Sequence, residues 1–383
     1  MKYVKRIFLV LFVFLLLLIG LLAAVPFIFK DRIVATAKQE INKNLRAEVN
    51  FADLDLSVFS SFPHLSVSLE DLSVVGVDRF AGKTLAEVGR VTLTVDFWSL
   101  LAEEGPFEIR SVELDQPKFD ILVLADGTAN YDIAIPSEEI PDTLAGTGSG
   151  LAIALQHYRI SSGQIRYEDR SLPLTLRAEG LEHQGQGNFT LTEYDLATDT
   201  EIEALDVTFA GINYLKQAEV DLAAVLHIDT ETSTYTLKHN RLLMNALELI
   251  AEGSVQLAEE DINLDLSFAA PSSNFKDLWS IIPNAYTADY EQVDVAGTFR
   301  LEGLVKGTYN EEAYPAFRIQ TKVENGQVKY PDLPLPIRRI EADIDLNSPS
   351  ANLDDMVIKV QPLSFAIGQD PFLARVQIRR PIS

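Results

Sequence analysis

The stretch "DGTANYD", Asp126 to Asp132, places oxygen-bearing side chains at alternate positions: Asp126, Thr128, Asn130 and Asp132. Such a run suits a hard cation, and calcium is the first chemistry to test. A calcium loop of the EF-hand type needs Gly at its sixth position and a bidentate Glu at its twelfth, and counting from Asp126 these are Tyr131 and Ser137. The better reading is a hairpin turn in which Asp126-Gly127 supplies positive φ and Asn130 caps the return strand. The five histidines, His64, His157, His183, His227 and His239, never fall at i, i+2 or i, i+4. No local imidazole pair for a metal forms, and each is expected as a polar residue at the surface or a strand edge.

Nucleophilic and cofactor chemistry fare no better. There is no cysteine, which removes disulfides, thiolates and sulfur ligands together and suits an oxidising compartment. Gly-x-Ser-x-Gly, Walker A and Gly-x-Gly-x-x-Gly motifs do not occur. "GTGSG" (Gly146–Gly150) follows a polar, Pro-containing stretch rather than a strand, and reads as linker. Glu103–Glu104 and Glu259–Glu260 read as solvated turn residues, and "NFT" (Asn188–Thr190) as an accidental acceptor motif. The expectation is a non-enzymatic protein with no cofactor.

What the chain does offer is apolar surface. Ile7 to Phe29 is a 23-residue run without a charge, and about 20 such residues cross a bilayer core. A cleaved signal peptide would have a shorter apolar region and a clearer small-residue site than "LLAAVPF". The run is therefore expected to be an uncleaved anchor. Lys2, Lys5 and Arg6 precede it and Lys30 and Arg32 follow it, so the positive-inside rule is silent. The six-residue tail before it fits a signal anchor that exports its C-terminal side.

Formal net charge is −24, unevenly spread. Residues 1–46 carry eight Lys/Arg against Asp31 and Glu40, so the remainder carries a net of −30. Such a body repels phosphate backbones, which excludes nucleic acid as the expected partner, while the basic start suits anionic head groups.

The elements that must organise this apolar surface are mostly strands. "DRIVATAKQEINKNLR" (Asp31–Arg46) has apolar residues at Ile33, Val34, Ala37, Ile41 and Leu45, the spacing of a short amphipathic helix. The period then changes to 2. Val91, Leu93, Val95 and Phe97 alternate with Thr92, Thr94 and Asp96, and Ile262, Leu264, Leu266 and Phe268 alternate with Asn263, Asp265 and Ser267. Ile340, Ala342, Ile344 and Leu346 repeat the pattern. These are half-buried strands with one apolar and one polar face. Only "FWSLLAEE" (Phe97–Glu104) and "SNFKDLWSIIPN" (Ser273–Asn284) read as later helices. Their Trp98 and Trp279 are expected in core packing, with the plug of a groove as the alternative.

One phrase occurs twice. "ISSGQIRYEDRSLPLTL" (Ile160–Leu176) and "VENGQVKYPDLPLPIRR" (Val323–Arg339) align when Gly163 is set on Gly326, 163 residues apart. The expectation is a duplicated β-module. The division is 1–29 tip and membrane anchor, 30–134 N-terminal β module, 135–150 linker, 151–313 first repeat module and 314–383 a second, incomplete one. The 70 residues of that last unit suggest a fragment or a short member of a longer architecture.

Several stretches together resemble the AsmA family of Gram-negative envelope proteins. They begin with the N-terminal span and basic helix and continue in "LDLSVFSSFPHLSVSLEDLSVVG" (Leu54–Gly76). The strongest is "VTLTVDFWSLLAEEGPFEIRSVELDQPKFDILVLADGTANYDI" (Val91–Ile133), with Leu114, Pro117, Asp126, Gly127, Asn130, Tyr131 and Asp132 at the family's positions. "VDVAGTFRLEGLVKGTYN" (Val293–Asn310) and "NGQVKYPDLPLPI" (Asn325–Ile337) are like the family's Bacteroidetes members.

The resemblance implies a mainly β fold: an elongated, curved antiparallel groove after a transmembrane helix, as in TamB-like and chorein-type lipid-transfer proteins. It also implies a single-pass protein of the bacterial inner membrane with its body in the periplasm. Its expected partners are phospholipid acyl chains, the inner membrane and outer-membrane assembly components. The expected work is lipid binding or transfer in outer-membrane biogenesis. A scaffold or chaperone that assists assembly and targeting of outer-membrane proteins is the alternative. Val91, Leu93, Val95, Ile262, Leu264 and Leu266 are the candidate groove or core lining.

Overall fold

The computed structural model describes residues 34–381 apart from 36–37, 40, 44, 58–63, 97–106, 136–150, 153–154, 259–260, 272, 282–292, 311–312 and 332–333. The predicted span Ile7–Phe29, the predicted helix Phe97–Glu104 and all of the predicted linker except Ile135 lie outside the described residues. Among the described residues no helix is long and apolar enough to cross a membrane.

Strands dominate. They are β1 (Ala47–Asn50), β2 (Asp53–Ser57), β3 (Leu65–Gly76), β4 (Thr84–Val95), β5 (Phe107–Val123), β6 (Leu151–Ala152), β7 (His157–Asp169), β8 (Leu174–Gln186) and β9 (Glu193–Phe209). The second half adds β10 (Ile212–Asp229), β11 (Thr234–Met244), β12 (Leu247–Ala258), β13 (Asp261–Ala269), β14 (Asp294–Tyr309), β15 (Ala316–Lys329), β16 (Ile337–Ser348), β17 (Val357–Ile367) and β18 (Asp370–Arg379). All belong to one sheet. β1 and β2 both lie along β3, and β3, β4 and β5 follow as a meander. From β7 to β18 every strand pairs antiparallel with the next.

One step breaks the antiparallel expectation. β5 pairs in parallel with β7, and the two-residue β6 extends that parallel edge. The chain must therefore cross from the end of β5 back to the start of β7, since a tight turn reverses direction and cannot join parallel neighbours.

Near the N-terminus residues 34–35, 38–39 and 41–43 are helical, within the predicted amphipathic segment. Asn42 pins them to the sheet: its side-chain amide donates to the Val49 carbonyl at 2.8 Å, and its oxygen accepts from the Val49 N–H at 2.6 Å. Among the described residues of the predicted helix at 273–284, Phe275–Trp279 form a short helix, with Asn274 as N-cap accepting from the Lys276 N–H.

Regular pairing alone would give a smoothly twisted ribbon. Irregularities placed in step bend it instead. Asp71 in β3, Gln116 in β5, Ser162 in β7 and Gly180 in β8 have φ of 52°, 53°, 54° and 64°. The registers bring Asp71 opposite Gly89, Gly89 opposite Gln116, and Gln116 beside Ser162. Gly180 is the extra residue between Leu181, which faces Gly163, and Glu179, which faces Gln164. A bulge kinks its strand and raises its twist, so a row of such residues across adjacent strands creases the sheet along one line.

The repeated phrase carries this device in both copies. Asn325 has φ 52° where Ser162 has 54°, and Arg339 has φ 54° where Gly180 has 64°. A side chain on Gly163 would press on Ile160 and Leu181, and one on Gly326 on Val323 and Ile340. The freed bulge N–H is taken by a carboxylate on the next strand each time. Ser162 N–H donates to Glu182 at 2.6 Å and Asn325 N–H to Glu341 at 2.9 Å. The two phrases share this bulge; beyond it β7 continues to Asp169, whereas β15 ends at Lys329.

Candidate functional site: an apolar sheet face

Residues directly opposite each other in a ladder point to the same side, so the registers carry one face from strand to strand. Starting at Val91, the path runs through Leu114, Ile160, His183, Thr200, Leu222, Leu242 and Leu249. Four and six positions further along β12 it continues through Gly253 and Val255 to Leu266 and Leu264. Val91, Leu93, Val95, Ile262, Leu264 and Leu266 therefore share one face of one sheet, although they sit on two strands nine apart in chain order. Val91 and Val95 are buried, whereas Leu93, Ile262, Leu264 and Leu266 are half-buried.

That face is apolar nearly throughout. β3 contributes Leu65, Val67 and Leu69, opposite Val95, Leu93 and Val91. Beyond the crease, Phe119, Ile165, Ala178 and Leu205 lie in one row across four strands. At the far end Ile358, Val360 and Phe365 face Ile378, Val376 and Phe372, and Val376 and Phe372 are 37% and 46% exposed. The opposite face holds the charges. Arg90–Glu70, Lys306–Asp265 and Arg318–Asp345 join neighbouring strands there at 2.8, 2.7 and 2.7 Å. Exposed pairs of this kind add little stability; they keep that side wet.

Among the described residues one stretch of the apolar face is covered by a helix and forms a buried cluster. The short helix Phe275–Trp279 lies on it beside β12 and β14. There Leu247, Phe275, Val293, Val295, Phe299, Leu301, Val323, Val328 and Ala342 form a buried cluster. Trp279 packs against this cluster, its ring edge-on to Phe275 and Tyr330 at 6.0 and 6.3 Å. Trp98 lies outside the described residues.

Polar residues interrupt this face: Asn240, Thr321 and Ser348 lie opposite Ala224, Leu301 and Phe317, and a polar trio surrounds His183. His183 in β8 sits between Tyr158 in β7 and Thr200 in β9, with Nδ1 2.8 Å from Thr200 Oγ1 and Nε2 3.2 Å from the Tyr158 hydroxyl. Phe189 and Tyr194 stand beside them, the two rings 5.0 Å apart and Phe189 6.2 Å from Tyr158. Burial holds the His183 imidazole below its ordinary value and pushes the Tyr158 phenol above its own. The expectation of a surface or edge role for every histidine fails here. The signal was present in the sequence: Leu181, His183 and Gly185 share one parity, as do Leu196, Thr198, Thr200 and Ile202.

The oxygen-rich stretch at Asp126 is a turn. Gly127 has φ 81° and its N–H donates to the Leu124 carbonyl. The Asn130 side chain accepts from the Leu122 N–H at 2.9 Å and donates to the Asp120 carbonyl at 2.8 Å, which ties the return segment to β5. Asp126 is engaged by Arg79 at 2.8 Å, and that hydrogen bond, then those from Thr128, lower its pKa to about 2.

The sheet thus presents a largely apolar face with a hydrogen-bonding trio at Tyr158, His183 and Thr200. The family model described as the AsmA family matches residues 1–291 of the chain's 383. No curated protein matches it.

Proposed function

The chain belongs to the AsmA family, and from that premise we propose that it binds or transfers phospholipid acyl chains in outer-membrane biogenesis and lipid homeostasis. In this reading residues 7–29 anchor it in the bacterial inner membrane and the sheet stands in the periplasm. The observation that carries the reading is the shared, largely apolar face, which runs from β3 to β18 and is half-buried over most of its strands. A water-soluble domain gains about 25 cal/mol for each Å² of apolar surface it buries, so a face this long left open is costly unless a ligand covers it.

An acyl chain is a matching ligand. Each buried methylene is worth about 0.8 kcal/mol, so a tail of some sixteen carbons cannot leave a bilayer unshielded. Strands stand about 4.8 Å apart, so the fourteen steps from β3 to β18 give a track of roughly 65–70 Å, several tails long. The helical residues 41–43, pinned to β1, join the proposed anchor to the first strands, where a tail would enter.

The test is native mass spectrometry of detergent-purified full-length protein, before and after Leu93→Asp and Leu264→Asp are introduced together. Bound phospholipid should be present in the wild type and lost in the variant, with the circular-dichroism spectrum unchanged. Lipid retained by a folded variant, or a wild type that crosslinks to outer-membrane proteins and carries no lipid, would overturn the proposal.

A further inference from the structure

We propose that Tyr158, His183 and Thr200 form a subsite for the ester carbonyl oxygen of an acyl lipid, marking where the tail ends and its head begins. The inference rests on the lipid-track reading above and adds a fixed point along the track.

The first argument is a count of hydrogens. Phenol, neutral imidazole and alcohol bring one polar hydrogen each, and the two contacts to His183 use two of them. If Nδ1 carries the proton it donates to Thr200, Nε2 accepts from Tyr158, and the Thr200 hydroxyl hydrogen is left over. In the other tautomer the Tyr158 hydroxyl hydrogen is left over. Either way one donor, and no positive charge, faces the apolar side of the sheet. A neutral acceptor oxygen is the complement of such a donor.

The second argument compares the two copies of the repeated phrase. Aligned on Gly163 and Gly326, Ile160 corresponds to Val323 and Tyr158 to Thr321. Across the ladder His183 corresponds to Ala342 and Thr200 to Leu363. The second copy keeps the bulge and the carboxylate that caps it with Ala342 and Leu363 where the first has His183 and Thr200. The scaffold therefore does not require the polar trio.

The third argument is accessibility. All three residues are half-buried, and the Tyr158 ring lies across Gly185, filling the space a side chain there would need. The phenol is thus laid along the face, and the Phe189 and Tyr194 rings form an aromatic wall beside it.

The experiment measures binding of two probes to the full-length protein: dioleoyl phosphatidylglycerol and its dialkyl ether analogue with the same head group. Wild type should favour the ester by about fivefold, the value of one net hydrogen bond near 1 kcal/mol. Tyr158→Phe with Thr200→Val should abolish that preference and leave ether binding unchanged, which also reports that the variant is folded. Equal binding of ester and ether by wild type overturns the subsite and leaves the lipid track standing. An equal loss for both probes in the variant assigns the site to the head-group phosphate and overturns the ester assignment. Binding of neither probe by wild type overturns the lipid track itself.

Discussion

The two copies of the repeated phrase share a bulge and its carboxylate cap and differ in what lies over them. In the second, the rung Phe299, Val323 and Ala342 is sealed beneath the Phe275–Trp279 helix, with Phe299 3% and Val323 4% exposed. In the first, the matching rung Leu114, Ile160 and His183 has no such helix over it among the described residues, and its side chains are half-buried. The strand before each copy also differs: β5 runs parallel to β7, while β14 runs antiparallel to β15. The same bulge, the same carboxylate cap and the same parity of apolar residues thus serve a closed stretch and an open one. Covering is a property of what the neighbouring chain does, and the module itself fixes only curvature and facing.

The largest effect should separate the two rungs by stability. Phe299→Ala removes a ring from a packed cluster and should cost about 3–5 kcal/mol. Leu114→Ala, on the half-exposed rung, should cost about 1–2 kcal/mol, because much of its surface is already near solvent. Urea unfolding of the full chain measures both. Equal costs would show that the first copy is as closed as the second and would break the comparison.

Next come the glycines that let the strands close on each other. A Cβ on Gly163 would sit 2.9 Å from Ile160 Cγ2, and one on Gly326 would sit 2.9 Å from Ile340 Cβ. Gly163→Ala and Gly326→Ala should each cost about 1–3 kcal/mol through overpacking. A clear cost at one site alone would show that the two bulges are not equivalent.

Smaller effects probe the left-handed positions. Gly180 fills one without strain, while Arg339 holds the corresponding φ as an ordinary residue. Arg339→Gly should stabilise the chain by up to about 1 kcal/mol, since a side chain in this region is disfavoured by about that amount. No gain in the thermal midpoint would mean that the arginine side chain is holding its own bulge.

The smallest effect concerns the turn that begins the crossover from β5 to β7, which the second copy lacks. Asp126 titrates at about 2 instead of 3.8, because it accepts a hydrogen bond from Arg79. A depressed folded value means the contribution is present above pH 3.8 and is lost as pH falls toward 2. Arg79→Ala should raise the Asp126 titration midpoint, read by NMR, toward 3.8. An unchanged midpoint would show that Arg79 does not hold this turn.

Much of this was legible in the chain. The alternation at Val91–Val95 and Ile262–Leu266 announced strands with one apolar face, and "SSGQ" and "ENGQ" announced a common device. Other parts were not. Asp71, Gln116 and Ser162 are poor advertisements for positive φ, a conformation that local patterns assign to Gly or Asn. Their φ is imposed by the pairing on both sides. The parallel step from β5 to β7 also has no local signature, because strand direction depends on where the crossover returns. His183 was missed for a simpler reason. A lone polar residue in a strand looks solvent-facing until its parity is compared with Leu181.

By itself the sequence determined that each strand would have a greasy side and a wet side, since side chains alternate with period two. It also fixed an acidic body behind a basic, apolar start. Only the tertiary structure decided that the greasy sides of β3 through β18 all turn the same way, and that one short helix closes part of them. Period two orders the residues of a strand relative to one another. The relative side of two strands is set by their register, and a slip of one residue would exchange the faces.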